Sequence, residues 1–170
     1  MEAEKLKNYL LSDSTRLYCI LDGASVPDLP MRLYQTDTPH YCLLGGDLKP
    51  DVLYTAPFLA ALLPGSPFTE QVFKESPGKH WGIFAHCRRS MTEVRRHCRA
   101  LLNVYDENGQ PMLFRYYDPR VIRKFLPTCN AGELKTLFGE LEAIFAEASD
   151  GKTITSYRLD SNELKQTDLN

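Results

Sequence analysis

Two His-Cys pairs, His86-Cys87 and His97-Cys98, and two aspartates that precede backbone breakers, Asp22 before Gly23 and Asp118 before Pro119, have the residue types to do chemistry. Imidazole and thiolate are favoured zinc ligands. Here they come without a C-x-x-C knuckle, and Cys98 falls on the apolar repeat of a helix, so packed core thiols are expected and no metal. A Cys–His nucleophilic pair has no local context either. Asp22 and Asp118 each close a predicted strand and could converge at the carboxyl edge of an α/β sheet, where catalytic groups collect. The simpler expectation is a turn residue and a helix cap. The chain holds no G-x-x-x-x-G-K-S/T, G-x-G-x-x-G, G-x-S-x-G or H-E-x-x-H, and Gly45-Gly46-Asp47 reads as a turn. We expect no catalytic residue, no cofactor and no enzyme.

The elements that must position these residues centre on 112–127. Residues 112–117 mix apolar and aromatic side chains with one arginine and read as a largely buried strand. Asp118 is a good N-cap and Pro119 fits the first helical position, so a helix should start there. Val121, Ile122, Phe125 and Leu126 form its apolar stripe, and Arg120, Arg123 and Lys124 its basic face, before Pro127 stops it. By alternation Leu113, Arg115 and Tyr117 share one face of the strand. If both faces are covered, Arg115 needs an acidic partner, for which Asp118 or Asp22 would serve.

A strand ending in Arg115, Tyr116, Tyr117, Asp118, Pro119 and Arg120, followed by a short helix ending in Phe125, Leu126 and Pro127, resembles the signature of the effector adaptor (chaperone) family of bacterial type VI secretion systems (domain of unknown function 4123). The run from Leu17 through Asp22 to Ala24 and the run from Trp81 to Phe84 before a helix fit the same family. The similarity covers roughly residues 17–138. It implies an adaptor that binds a toxic effector and aids its loading onto the VgrG spike, with Asp22, Arg115, Tyr116, Tyr117, Asp118 and Pro119 as the structural motif.

Elsewhere, a helix is expected over 2–12, a strand over 17–21, a helix opening within 27–35, a buried strand at 41–44 and an edge piece at 52–54, with 58–63 too short to classify. A helix capped by Ser66 or Thr69 should run to Phe73, followed by a strand at 81–85. Ser90 with Glu93 is a capping box, and Met91, Val94, Cys98, Leu101, Leu102 and Tyr105 then recur at helical spacing. Asn108-Gly109 is a turn, a helix covers 133–138, and two runs around Asp150-Gly151 form a hairpin. The fold class is therefore α/β: a mixed sheet flanked by helices, with a C-terminal helix and hairpin, in one adaptor domain over 1–160 that could form two lobes. Residues 161–170 are expected as a fraying polar tail.

A length of 170 residues, 43% hydrophobic and 25% charged, suits an ordinary globular chain. Five cysteines, an odd number in apolar runs, suit reduced thiols rather than a disulfide framework. No apolar signal region opens the chain and no apolar run suits a membrane span, so a cytoplasmic location is expected. The net charge of −2 hides a segregation. Residues 88–124 carry nine Arg or Lys against four acids, while the flanks are acidic. The bland reading is a solvated face. The sharper one is a partner surface made by Arg95, Arg96, Arg99, Arg120, Arg123 and Lys124. A nucleic-acid-binding module using the same segment is the alternative, weakened by the pI of about 6.1, and a small hydrolase lacks a nucleophile motif.

Overall fold

The computed structural model describes residues 3–12 and 14–169; Glu2, the expected first residue of the opening helix, and Asn170, the expected end of the tail, lie outside them. The elements run α1 (Ala3–Leu11), β1 (Arg16–Asp22), α2 (Leu29–Gln35), β2 (His40–Cys42), α3 (Pro50–Thr55), β3 (Pro57–Ala61), α4 (Pro67–Glu75), β4 (Gly82–Cys87), α5 (Met91–Leu102), β5 (Asn103–Tyr105), β6 (Pro111–Leu113), α6 (Pro119–Phe125), α7 (Ala131–Phe138), β7 (Ala143–Glu147), β8 (Ile154–Asp160) and β9 (Glu163–Leu169). A 3-10 turn, Leu126–Thr128, follows α6.

The expected α/β class holds. Seven strands form one sheet in the order β2-β3-β1-β4-β7-β8-β9, and β5 with β6 forms a separate hairpin. A mixed sheet was expected, but every pairing among the described residues is antiparallel. Apolar periodicity reports which face a residue takes and is silent on strand direction.

Alternation along the central strands splits the core in two. Tyr18, Ile20, Leu59, Ile83, Ala85 and Ile144 pack with Val94 and Cys98 of α5, Ile122 of α6 and Leu134 and Leu137 of α7. Leu17, Cys19, Leu21, Phe58, Ala60, Phe84 and Phe145 pack with Leu6 and Leu10 of α1, Leu29 and Leu33 of α2 and Phe68 and Val72 of α4. Strands covered on both faces read as continuous apolar runs, which is why 17–21 was legible as a strand. At Gly82 an added Cβ would lie 2.1 Å from the Ile20 carbonyl oxygen, so only glycine lets β4 approach β1 there.

The capping box of α5 is present, with Ser90 and Glu93 bonding each other's backbone N–H, and Ser66 caps α4. Three readings are corrected. Residues 52–54 lie in helix α3, started by Pro50 at its first position. Tyr105, placed on the apolar stripe of α5, falls in β5 and is exposed. The supposed polar tail forms β9, paired along its length with β8. It was missed because this edge strand is mostly exposed, with only Leu164 and Leu169 packed against the core, so no apolar alternation marks it. The turn between them, Ser161-Asn162, has both residues at positive φ (50° and 69°), the geometry of a tight hairpin.

Candidate functional site

The residues singled out at 22 and 115–120 meet at one edge of the sheet. β1 ends at Asp22, whose N–H donates to Trp81 O (2.8 Å). Gly23 follows because a Cβ there would lie 2.5 Å from Ala56 O. The Asp22 carboxylate accepts from Ala24 N–H (3.0 Å) and Ser25 Oγ (3.1 Å), a turn that fixes its direction.

The expected strand over 112–117 is shorter. Only Pro111–Leu113 pairs, and it is exposed. From Phe114, whose N–H donates to Leu102 O (2.8 Å), the chain turns, and Asp118 N–H closes the turn on Arg115 O (3.0 Å). Tyr116 and Tyr117 are both buried, but in this turn rather than in a strand covered on both faces. Tyr116 donates its hydroxyl to Cys98 O (3.0 Å) and stacks edge-on to Tyr117.

This turn carries Arg115 across to β1. Its Nη2 lies 2.6 Å from Asp22 Oδ2 and 3.5 Å from Asp118 Oδ2. Both expected partners are thus found, and the two aspartates do converge, on a guanidinium. Asp118 caps α6 by accepting from Arg120 N–H (2.9 Å) and takes two further bonds from the Arg120 side chain, Nε at 2.9 Å and Nη2 at 2.8 Å. Both carboxylates are buried, 2% and 3% exposed, while Arg115 and Arg120 reach solvent. Burial alone would raise the Asp118 pKa. The bonds and positive charge of Arg120, with Arg115 behind, outweigh it and hold the carboxyl below its ordinary value. Two negative and two positive groups balance, so the cluster acts as a strut fastening α6 to the end of β1.

A second cluster at the same edge was not foreseen. The buried Glu147 carboxylate, at the end of β7, accepts the N–H groups of Gly78 and His80, and His80 Nδ1 lies 2.5 Å from it. Arg123 donates to the Glu147 carbonyl oxygen (3.3 Å). Gly78 and His80 lie 67 residues or more from Glu147 and Arg123 lies 24 away, so no local pattern announces them.

The His-Cys pairs are placed apart from this edge. His86 Nε2 lies 2.8 Å from Leu10 O, and its ring packs on Phe145. His97 Nε2 lies 2.9 Å from Leu137 O. Cys87 donates to Glu140 O, and burial pushes the Cys98 thiol up to about 11. Among the described residues no group of three or more His, Cys, Asp or Glu could hold a metal ion, and no helix is long and apolar enough to cross a membrane.

The six basic positions differ in setting. Arg96 and Lys124 are exposed. Arg120 is held by Asp118 and Arg123 by Glu147. Arg95 and Arg99, expected to stand free, are half-buried. Arg95 lies over the Tyr41 ring, 4.6 Å from its centroid, and Arg99 lies against Gly45. Long cationic side chains cover apolar surface with their stems, so the basic face of a helix need not be free of contacts. Beside α6, the hairpin exposes Tyr105, Met112 and Leu113, and Phe125 packs edge-on to Phe114 (4.7 Å).

No curated protein and no solved structure matches the chain. The family model described as a domain of unknown function (DUF4123) matches residues 17–136, from β1 through the arginine–aspartate strut into α7, and the chain therefore belongs to the DUF4123 family.

Proposed function

We propose that this protein is a non-enzymatic adaptor that binds a type VI secretion effector in the cytoplasm of the producing cell and aids its loading onto the VgrG spike. The observation that carries the reading is the commitment of both buried aspartates to arginines, Asp22 to Arg115 and Asp118 to Arg120. The motif behind the resemblance thereby serves architecture and leaves recognition to the surface. Surface of the binding kind lies beside it: an exposed apolar hairpin carrying Tyr105, Met112 and Leu113, next to Phe125 and the basic end of α6. Apolar groups rimmed by charge suit protein partners.

Deleting the gene in the producing strain tests the reading. Delivery of one effector should stop while the apparatus continues to secrete. Arrest of all secretion, or unchanged delivery of every effector, refutes it.

A further inference from the structure

The basic face of α5 lies beside an open rim of the sheet. β2 is an outer strand, paired only with β3 among the described residues. Leu43 N–H donates to Pro57 O (2.9 Å) and Ala61 N–H to Pro39 O (3.0 Å). By the alternation of antiparallel pairs, Tyr41 bonds to β3, and the N–H and C=O groups of His40 and Cys42 point outward. Tyr41 opposes Leu59 and shares the sheet face that α5 covers.

There Arg95 covers the Tyr41 ring and Arg99 lies against Gly45. Other arginines in this basic stretch have acidic partners: Arg88 with Glu142, Arg89 with Glu140, Arg115 with Asp22 and Arg120 with Asp118. Arg95, Arg96 and Arg99 form no ion pair among the described residues, and the buried Nε of Arg95 has no hydrogen-bond partner there. Partly desolvated cations without a counter-charge are unfavourable. Unpaired strand groups beside them are a template for another strand.

We propose that an extended acidic segment of a partner protein adds to the sheet along β2, with its carboxylates on the α5 side against Arg95 and Arg99. Main-chain bonds to His40 and Cys42 hold the segment, and carboxylates at alternate positions select it. A strand is favoured over a nucleic acid because the rim of β2 offers both donors and acceptors, whereas a phosphate backbone only accepts. The inference does not depend on the adaptor reading, because it concerns the chemistry of the docked segment whichever protein supplies it.

The probe is a synthetic peptide alternating glutamate with valine, titrated calorimetrically into the full chain at low and high salt. Three controls are run: lysine in place of glutamate, N-methylation of alternate backbone amides, and a single-stranded oligonucleotide of equal charge. The acidic peptide should bind, high salt should weaken it, and the lysine and methylated peptides should fail. Arg95→Gln with Arg99→Gln should weaken binding at least about tenfold, while Arg88→Gln leaves it unchanged. A melting curve on the double variant separates lost binding from lost folding, and the methylated peptide tests the rim on wild-type protein. Absence of peptide binding, equal binding of the methylated peptide, full affinity in a folded double variant, or tighter binding of the oligonucleotide would each overturn the proposal. Unchanged effector delivery on gene deletion would count only against the adaptor reading.

Discussion

Removing the Asp118 carboxylate by Asp118→Ala should destabilise the protein by about 0.5–3 kcal/mol. The loss has three parts. The N-cap bond to Arg120 N–H is worth about 0.5–2 kcal/mol. The two-bond pairing with the Arg120 side chain is short, but that arginine is 51% exposed, so solvent screening reduces its contribution to about 1 kcal/mol or less. Arg115 is only 3.5 Å away and keeps Asp22 at 2.6 Å, so little is added there. For a chain of this length the total corresponds to a melting temperature lower by roughly 1–12 °C, measured by circular dichroism. Asp118→Asn, which keeps an acceptor for the cap, should cost less than Asp118→Ala. Double-mutant analysis with Arg120→Ala should show coupling between the two positions. Because the folded carboxyl titrates below its ordinary value of 3.8, its contribution is complete above that value and is lost as pH falls through the lower folded one. The gap between wild type and variant should therefore close in acid below about pH 4. Strictly additive effects of the two substitutions, or an undiminished gap at the acid limit, would refute the ion-pair argument.

Gly82→Ala places a methyl 2.1 Å from a backbone oxygen of β1 and should cost about 1–3 kcal/mol or more in chemical denaturation. Replacing Ser161-Asn162 by Asn-Gly puts residues that tolerate positive φ at both turn positions and should raise stability by up to about 1 kcal/mol; an unchanged midpoint would count against strain at this turn. Burial pushes the thiols of Cys19 and Cys98 well up, so at pH 8 a thiol reagent should label half-buried Cys42 and Cys129 first, and Cys19 and Cys98 only on unfolding.

What could be read beforehand was local. The Ser90–Glu93 box and the Asp118-Pro119 start each depend on side chains within three residues of one another, and both helices begin as expected. By the same rule the Asn130–Glu133 box of α7 was present in the sequence and was passed over, as was Pro50 at the start of α3. Other features depend on distance along the chain. Arg115 finds Asp118 three residues away and Asp22 93 residues away; the second contact could be suggested from charge alone but not located. The grip of Glu147 on 78–80 and the half-burial of Arg95 and Arg99 are set by tertiary packing, which helical periodicity does not report. Consecutive burial of Tyr116 and Tyr117 follows from a turn that an apolar run disguises as strand.

The place of β4 bears on how the chain leaves the ribosome. In the finished sheet it lies between β1 and β7, but β7 is translated only after α5, the hairpin, α6 and α7. Until then a nascent chain carrying β1 to β4 has an apolar strand at its growing border, with Phe84 and Ala85 lacking the neighbours that β7 supplies. Unpaired apolar strand borders are what aggregation recruits. The three helices made in the interval include α5, α6 and α7, which pack over the same side of the sheet as Ile83 and Ala85. Their order of synthesis gives the waiting strand a cover before it gains a pairing partner, and closure by β7 becomes the event that ends its exposure during translation.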